Sequence, residues 1–420
     1  MIQKKQIDSL NILILSLFPL SFILGPSISL FSILSIGILF LITYNFREYD
    51  FIFSSTTIKI LFAIYFYLLF NSIISIDYKI GLGRNLGFVR FIIFFLAINF
   101  LFFKLKTDKI FKIWFFILVI VLIDSYIEAI FGKNSLGFGE EYGNRIVSFF
   151  KDEPIVAAFL NGFILMIFGY FLNNFSKYNN FKKFSIYILI LLFLICILLT
   201  GERSNLIKIL IGFFVFLYLI HHFSLSTKII FTLIVSVFML VVLSSSTYLK
   251  HRYISQLYEK IKTKEKRLEF YDKSLYVSLY KSGYAVFKNN FYLGVGNKNY
   301  RVETCDFSKE KKGKYKNYWC MTHPHQIYIE FLSEHGLGGT IILLVLFFTL
   351  IFKHLKIIIT SKNYIQVGSF IYLILNFIPL LPSGSFFNDF NLSLFFLNLS
   401  IMYASNKKTN IFYKKKYNIK

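Results

Sequence analysis

The sequence predicts an all-α, polytopic integral membrane protein of about twelve transmembrane helices, with one large loop outside the membrane that contains short amphipathic helices. Apolar residues make up 56% of the 420 residues, and 54 residues are phenylalanine. The apolar residues occur in runs of 17 or more. Such runs are long enough to cross a hydrocarbon core of about 30 Å. One long hydrophilic stretch, residues 249–322, interrupts the series of runs.

Twelve apolar runs are predicted to be the transmembrane helices. They lie near residues 7–25, 27–44, 58–76, 85–103, 110–131, 154–173, 184–200, 205–222, 229–248, 334–352, 365–382 and 387–404. The first run is long, contains Pro19 and lacks a cleavage site of small residues. We therefore interpret it as a span and not as a cleavable signal.

The distribution of basic residues predicts how these spans are oriented. With the N-terminus inside, the short inner segments carry twenty lysines and arginines, and the short outer loops carry six. The positive-inside rule then places both termini in the cytoplasm. The net charge of +24 does not indicate a nucleic-acid partner, because the charges lie where membrane topology predicts them. Part of the lysine excess also reflects a composition rich in Phe, Ile, Lys and Asn.

We expect a single membrane domain over residues 1–420. Within it, residues 249–325 form a large outer loop, and residues 405–420 form a basic cytoplasmic tail that contacts the anionic lipids of the inner leaflet. The aromatic spacing of residues 274–288 predicts an amphipathic helix on the membrane surface.

Two further features lie in the same loop. Gly294-Val295-Gly296-Asn297 predicts a turn. Cys305 and Cys320 would face the oxidising side in this topology, where a disulfide is stable. Their spacing alone leaves open whether the two cysteines are bonded.

Polar residues suited to chemistry gather on the predicted outer side. They are Asp124, Glu128, Arg145, Glu153, Arg203, His323 and His325. An imidazole exchanges a proton near neutral pH, so the His-Pro-His stretch is the first candidate for catalysis. Arg203 has a structural alternative, as the end of a span, and His323 could simply cap the helix that follows. Arg90 lies inside a predicted span, where a charge usually faces a cavity or a partner.

Two acidic residues are expected to be structural. Asp124 and Glu128 lie four apart on one helix face, and we expect them to pair with Arg90 or Arg145. No cluster of Cys, His and carboxylate residues predicts a metal site. No glycine-rich phosphate loop predicts nucleotide coupling. The sequence therefore predicts no cofactor.

Several segments, taken in order, resemble the O-antigen ligase and O-antigen polymerase superfamily of polytopic membrane glycosyltransferases. These segments are Ile123-Asp124, Gly132-Lys133-Asn134, Asn144 to Pro154, Leu199 to Asn205, Leu293 to Gly296, His323 to Gln326 followed by Glu334 to Gly339, and Pro382 to Phe387. Their order and spacing over roughly residues 80–400 carry the resemblance.

The resemblance implies that Arg203 and His325 are the catalytic residues. It also implies a donor glycan on undecaprenyl pyrophosphate, used without nucleotide or metal. The residues that we expect to bind substrate are Arg145, Glu153, Arg90, His323 and Lys281. The family has a second arginine in the large loop, upstream of the Gly-Val-Gly turn. This sequence departs from the family there, because the aligned region offers Tyr276, Tyr280 and Lys281, with Arg267 further away.

We therefore expect a metal-independent glycosyltransferase in the bacterial inner membrane with a periplasmic active site. A ligase would use a lipid A–core hydroxyl as acceptor, a polymerase would use another lipid-linked repeat unit, and a protein acceptor is a third version. Cells that lack a polymerase would carry single capped repeats as surface glycan, whereas cells that lack a ligase would accumulate long carrier-linked chains. A transporter that flips lipid-linked glycan would instead predict polar residues near mid-membrane and internal repeats.

Overall fold

The computed structural model describes residues 2–45, 47–139, 144–151, 153–306, 308–309 and 312–413. The chain is helical in these residues and contains no β-strand among them, which confirms the predicted all-α class. Of the predicted basic tail at 405–420, residues 414–420 lie outside the described residues.

In the described part of the chain, eleven α-helices precede the large loop. They are α1 (Ile2–Ser16), α2 (Phe18–Leu24), α3 (Pro26–Thr43), α4 (Thr56–Ile73), α5 (Tyr78–Gly87), α6 (Val89–Lys104), α7 (Asp108–Phe131), α8 (Val156–Asn173), α9 (Asn180–Leu199), α10 (Arg203–Leu219) and α11 (Leu225–Ser245). Short 3₁₀ turns lie at Asp50–Ser54, Ser148–Phe150 and Phe175–Lys177.

The described remainder of the chain begins with short helices and ends with longer ones. They are α12 (Thr247–Lys250), α13 (Gln256–Ile261), α14 (Lys264–Lys273), α15 (Leu275–Asn289), α16 (Tyr300–Thr304), α17 (Ile327–Phe352), α18 (Leu355–Thr360), α19 (Tyr364–Leu375) and α20 (Asp389–Ala404). A π-helical turn at His251–Ser255 joins α12 to α13, and a 3₁₀ turn lies at Gly313–Tyr315.

Local sequence explains where many of these helices begin. A side-chain oxygen at the N-cap position accepts a hydrogen bond from a backbone N–H of the first turn, which would otherwise have no partner. The residues that do this include Asp77 before α5, Asn179 before α9, Ser224 before α11, Asn363 before α19 and Asn388 before α20.

Eight helical segments among the described residues are long and apolar enough, by length and composition, to cross a membrane. They are Pro26–Thr43, Thr56–Ile73, Tyr78–Lys104, Asp108–Phe131, Val156–Asn173, Asn180–Leu199, Leu225–Ser245 and Ile327–Thr360. Each of them overlaps one of the predicted spans. Gln6–Ser16 and Phe18–Leu24 form a ninth if this pair, bent by 52°, is one span.

The other three predicted spans form shorter helices. Helices α10, α19 and α20 contain 17, 12 and 16 residues. Helix α19 ends ahead of Pro379 and Pro382, and proline cannot continue a helix because it lacks the backbone N–H. The total of twelve spans therefore stays a prediction, as does the side of the membrane on which the loop lies.

The centre of the helical domain is built on close contact between α8 and α19, with α20 packed on α6 and α19. A Cβ atom at Gly169 would overlap the backbone of Tyr364, and one at Gly368 would overlap the backbone of Leu165. Small residues at these crossings allow the helix backbones to approach one another, as is common between membrane helices. This packing places the start of α8, the start of α10 and the end of α19 next to one another.

The predicted amphipathic helix at 274–288 is confirmed as α15, and it packs against α17. A Cβ atom at Gly283 would overlap Ile329 and crowd Pro324. Glycine at this position therefore brings α15 directly against the His-Pro-His stretch. Tyr276 and Tyr284 lie on the exposed side of α15.

Helix α17 begins at residue 327, before the predicted span at 334–352, and it is broken at Gly336. The backbone of Gly336 is non-helical, with φ 64° and ψ −172°. Beyond the break, the N–H of Leu337 donates to the carbonyl of Phe291 over 2.8 Å. A backbone group released by the break thus has a partner in the loop.

The Gly-Val-Gly turn supplies the partners on the other side of the break. The N–H of Val295 donates to the carbonyl of Ser333 over 3.0 Å, and the N–H of Gly296 donates to the carbonyl of Glu334 over 2.8 Å. Gly294 has φ +69°, and a Cβ atom there would overlap the backbone of Glu334. The predicted turn is therefore a docking element that fits into the break of α17.

Replacing Gly294 should loosen this docking. In Gly294→Ala, both the left-handed φ and the overlap with Glu334 are unfavourable, and strain at such positions costs about 1–3 kcal/mol. We expect a lower apparent melting temperature in detergent, measured with a thiol-reactive dye that reports exposure of the fully buried Cys196.

Gly83→Ala is the matched control, because Gly83 lies in α5 and a Cβ atom there meets open space. Equal melting temperatures for the two variants would contradict the proposed docking.

Candidate functional site

A cavity of about 1070 Å³ lies between the start of α10, the loop helices α13 to α15 and the turn that follows α19. Basic side chains dominate its charged lining. These are Arg145, Arg203, Lys208, Arg252, Lys260 and Lys273, and the acidic residue among the lining side chains is Glu202. His325 also lines the cavity. The excess of positive charge suits an anionic ligand.

His325 is held by its backbone in an uncommon conformation. Its φ is +55°, in the left-handed region, and its carbonyl accepts a hydrogen bond from the N–H of Ser383 over 2.9 Å. Gln326 then caps α17 by accepting from the N–H of Ile329 over 2.8 Å. These contacts fix the direction from which the imidazole enters the cavity.

The imidazole of His325 is partly withdrawn from water. Its ring lies edge-on to Tyr276, with 6.1 Å between ring centroids. Burial lowers the pKa of His325 below its ordinary value of 6.5. At neutral pH the ring is therefore uncharged and able to accept a proton.

His323 lies behind His325 and does not line the cavity. The two ring centroids are 3.9 Å apart, and Nδ1 of His323 is 2.9 Å from the hydroxyl of Thr322. Burial, with a smaller contribution from neighbouring His325, lowers the pKa of His323 to about 3. The predicted substrate-binding residue His323 is thus placed to support the ring of His325.

Arg203 begins α10 immediately after a tight turn. Gly201 in that turn has φ +70°, and a Cβ atom there would approach the hydroxyl of Tyr248 to 2.8 Å. The guanidinium of Arg203 donates to Oε1 of Gln256, and its Nε is buried without a partner among the described residues. Glycine in the turn therefore lets α10 start inside the cavity.

Arg252 stands beside Arg203 in the cavity wall. Its Nε donates to the carbonyl of Gly201 over 3.2 Å, and its charge is close enough to act on Arg203. From the sequence, Lys281 and the more distant Arg267 were the candidates for the position of the family's second arginine in the large loop. The structure instead brings Arg252, from the π-helical turn before α13, to the first arginine.

Arg145 and Glu202 contact the residues at the start of α8. Arg145 lines the cavity and donates to the carbonyl of Pro154 over 3.4 Å. Glu202 accepts from the N–H of Ala157 and from the side chain of Asn205, both over 2.7 Å. Burial raises the pKa of Glu202 to about 7, so this carboxyl offsets little of the positive charge.

Three other predicted substrate-binding residues lie outside the cavity lining. Glu153 is exposed. Arg90 forms an ion pair with Asp389 over 2.5 Å. The Nζ of Lys281 lies 3.8 Å from the ring centroid of Tyr271 and donates to its carbonyl over 3.1 Å. Their predicted role in binding has no support from these contacts.

The expected partners of Asp124 and Glu128 were wrong. Asp124 accepts from the hydroxyl of Ser148 over 2.6 Å. Glu128 accepts from the N–H of Val147 over 2.9 Å and from that of Ser148 over 2.6 Å. The two carboxylates therefore hold the loop that carries Arg145, and they do not pair with Arg145 or Arg90.

A buried ionic group supports the turn that holds His325. Glu330 accepts from the hydroxyl of Ser385 over 2.5 Å and from the N–H of Phe386 over 3.0 Å. The Nζ of Lys298 contacts the Ser385 hydroxyl and lies 3.8 Å from Glu330. Lys298 follows the Gly-Val-Gly turn directly, so this group links that turn to the one bonded to His325.

The loop cysteines are bonded to each other. Cys305 and Cys320 form a disulfide with Cα atoms 4.5 Å apart. Next to this bridge, the N–H of Trp319 donates to the hydroxyl of Ser282 on α15 over 2.9 Å. The bridge thus attaches α16 to the segment that leads into the His-Pro-His stretch, and it agrees with an oxidising environment.

Sequence reasoning did not single out Lys208 or Arg252 as cavity residues. Lys208 could have been predicted from the sequence. A lysine inside a predicted apolar span is energetically costly, so its presence there indicates a cavity or a partner. Nothing in the sequence indicated Arg252, because its position depends on how the loop folds back. The hydroxyl of Tyr280 is buried without a partner among the described residues, and burial raises its pKa to about 12.

The helices and the cavity together define a polytopic helical membrane protein with a cationic site that contains an uncharged imidazole. Residues 188–381 match the family model described as O-antigen ligase. The match covers a little less than half of the chain and confirms the resemblance predicted from the motifs. It includes Arg203, Arg252 and His325. A comparison with curated proteins finds no match.

Breaking the buried ionic group should destabilise the protein. In Glu330→Gln, the Lys298 ammonium loses its counter-charge, and one carboxylate oxygen that accepts a bond becomes an amide donor. Removing one partner of a buried ion pair costs about 3–5 kcal/mol. We expect a clear drop in apparent melting temperature, read from exposure of Cys196.

The double variant Lys298→Met/Glu330→Gln should recover part of that loss, because it removes both members of the ion pair. A double variant as unstable as Glu330→Gln would show that Lys298 and Glu330 are not coupled.

Proposed function

We propose that the protein is an O-antigen ligase that transfers a glycan from undecaprenyl pyrophosphate to a hydroxyl of a lipid A–core acceptor. The observation that carries this proposal is a single cavity lined by His325, Arg203, Arg252 and Arg145. Glycan transfer from a pyrophosphate carrier requires a base for the acceptor hydroxyl and cations for the leaving group. This cavity holds an imidazole and several guanidinium groups. The matched family model supports a membrane glycosyltransferase of the ligase or polymerase type, and a polymerase that joins lipid-linked repeat units is the alternative.

His325 acts as the general base. Its uncharged ring takes the proton from the acceptor hydroxyl as that oxygen forms a bond to the anomeric carbon of the donor sugar. The bond between the anomeric carbon and the phosphate oxygen breaks, and the pyrophosphate leaves with the electron pair. A positioned base typically accelerates such a step by about 10²–10⁴-fold.

The arginines act on the leaving group. Negative charge grows on the pyrophosphate as the sugar departs, and fixed cations in a site with little water stabilise that charge strongly. Arg203 and Arg252 present forked donors that match phosphate oxygens. Because the chain supplies both the base and this charge stabilisation, the proposed reaction needs no metal or nucleotide.

The apolar part of the same cavity suits the lipid of the donor. Leu375, Leu380, Leu381 and Leu394 line it together with the cations. A polyprenyl tail can therefore lie among leucines while its pyrophosphate meets the arginines. This arrangement fits a substrate that resides in the bacterial inner membrane and reacts on its periplasmic face.

The proposal predicts the loss of transfer in two variants. His325→Ala removes the base and should lower the transfer rate by about 10²–10⁴-fold. Arg203→Ala removes one stabilising donor and should lower it by about 10²–10³-fold. The assay uses purified protein in detergent, undecaprenyl-pyrophosphate-linked glycan and lipid A–core acceptor, with product resolved by electrophoresis.

Lys79→Ala is the control, because Lys79 is an exposed lysine that does not line the cavity. Wild-type rates in both cavity variants, with melting temperatures unchanged, would reject the site. A parallel reaction offers lipid-linked repeat units in place of lipid A–core. Elongation there without transfer to lipid A–core would identify a polymerase instead.

The base should also determine the acidic side of the pH profile. Because burial lowers the pKa of His325, the uncharged form persists below pH 6.5 and is lost as the pH falls through that lowered value. We expect kcat/KM to stay constant from neutral pH to below pH 6.5 and to decline only at lower pH. A decline that begins above pH 6.5 would contradict His325 as the base.

A further inference from the structure

The proposed reaction assigns residues to the proton, the leaving group and the lipid, but none to the sugar that accepts the glycan. That sugar must bring a hydroxyl to His325, so the residue that binds it should lie next to this imidazole. Tyr276 does so. Its ring lies edge-on to His325, with 6.1 Å between the ring centroids, and it lines the same cavity. Tyr276 therefore borders the space that the acceptor hydroxyl must occupy.

Helix packing fixes the position of Tyr276. It is the second residue of α15, and glycine at residue 283 brings that helix directly against Pro324 of the His-Pro-His stretch. Tyr276 is also close enough to Arg203 to act on the electrostatics of its guanidinium. The ring is thus near both the base and one cation of the proposed reaction.

The ring of Tyr276 is accessible to a ligand. Among the aromatic residues that line the cavity in the described part of the chain, Tyr276 is the exposed one, at 46%. Tyr280, one turn further along α15, is half-buried. The hydroxyl of Tyr253 is bonded to the carbonyl of Leu198 over 3.0 Å. Tyr276 is therefore the aromatic side chain of the cavity with the most surface open to a ligand.

An accessible aromatic ring suits a sugar. The face of the ring carries partial negative charge, and one face of a pyranose presents C–H groups that carry partial positive charge. Packing these two faces together removes apolar surface from water, and the hydroxyls at the edge of the sugar stay free. One of those hydroxyls can then reach a neighbouring base.

We infer that Tyr276 is the binding platform for the acceptor sugar and holds it with one hydroxyl toward His325. This inference rests on the proposed function. The donor is held through its pyrophosphate and its lipid, so the acceptor is the substrate that still needs a binding surface. Tyr276 acts in binding and takes no part in proton transfer.

The test separates the aromatic ring from the hydroxyl of Tyr276. In the transfer assay, Tyr276→Leu should raise the KM for lipid A–core by about three- to tenfold, because a ring contact is lost. The kcat and the KM for the donor should stay within about twofold of the wild-type values, as expected when a residue binds the ground state and the transition state equally. Tyr276→Phe keeps the ring and should keep the wild-type KM for lipid A–core.

Tyr284→Leu is the matched control, because Tyr284 lies on the same exposed side of α15 and does not line the cavity. An equal rise in KM in this control would reject the inference. A fall in kcat in Tyr276→Leu, with an unchanged KM for lipid A–core, would show that Tyr276 only supports the imidazole. A Tyr276→Phe variant as impaired as Tyr276→Leu would assign the effect to the hydroxyl and reject the platform.

Binding without turnover separates this inference from the proposed function. Lipid A–core alone is titrated onto each protein in detergent, and its affinity is taken from the rise in apparent melting temperature reported by Cys196. If the wild type binds lipid A–core but transfers no glycan to it, the proposed function is wrong, and weaker binding by Tyr276→Leu still supports the platform. Equal affinities of the wild type and Tyr276→Leu reject the platform even if transfer occurs, and so does a wild type that does not bind lipid A–core.

Discussion

The break in α17 at Gly336 determines how the large loop is arranged. A helix interrupted inside a membrane domain exposes backbone groups that lipid cannot satisfy. Here the Gly-Val-Gly turn fills the break, with backbone hydrogen bonds to Ser333 and Glu334. Because only glycine fits at residue 294 against that backbone, the loop docks at one place and in one register. The positions of α15, the disulfide and His325 follow from this docking.

The same docking connects to the chemistry through a short series of polar contacts. Lys298 follows the turn and, with Glu330, supports Ser385. The turn that contains Ser385 in turn bonds the backbone of His325. An imidazole on a mobile loop would sample many directions, whereas one held at its backbone keeps its place in the lining of the cavity that the arginines also line. A preorganised site of this kind contributes to catalysis because little reorganisation remains for the reaction itself.

The membrane character, the existence of most helices and the family could be predicted from local patterns. Apolar runs and helical aromatic spacing depend on neighbouring residues, so eight helices that are long and apolar enough to span a membrane, and α15, lie where they were predicted. The partners of charged residues were predicted poorly. Asp124 and Glu128 were expected to meet arginines, but both accept hydrogen bonds from backbone N–H groups of the following loop, Asp124 from Ser135 and Glu128 from Val147 and Ser148. Hydrogen bonds to backbone leave no signature in side-chain composition, which explains the error.

The sequence by itself determined the helical membrane domain and the two residues, Arg203 and His325, that its motifs single out. Those features are encoded by hydrophobic length and by the order of short motifs. Only the tertiary structure decided which other residues share their cavity. Arg252 and Lys208 join it, whereas Lys281 and Arg90 bind elsewhere. The physical reason is that a cavity is made by helices that meet across long stretches of chain, and their packing sets which side chains face one another.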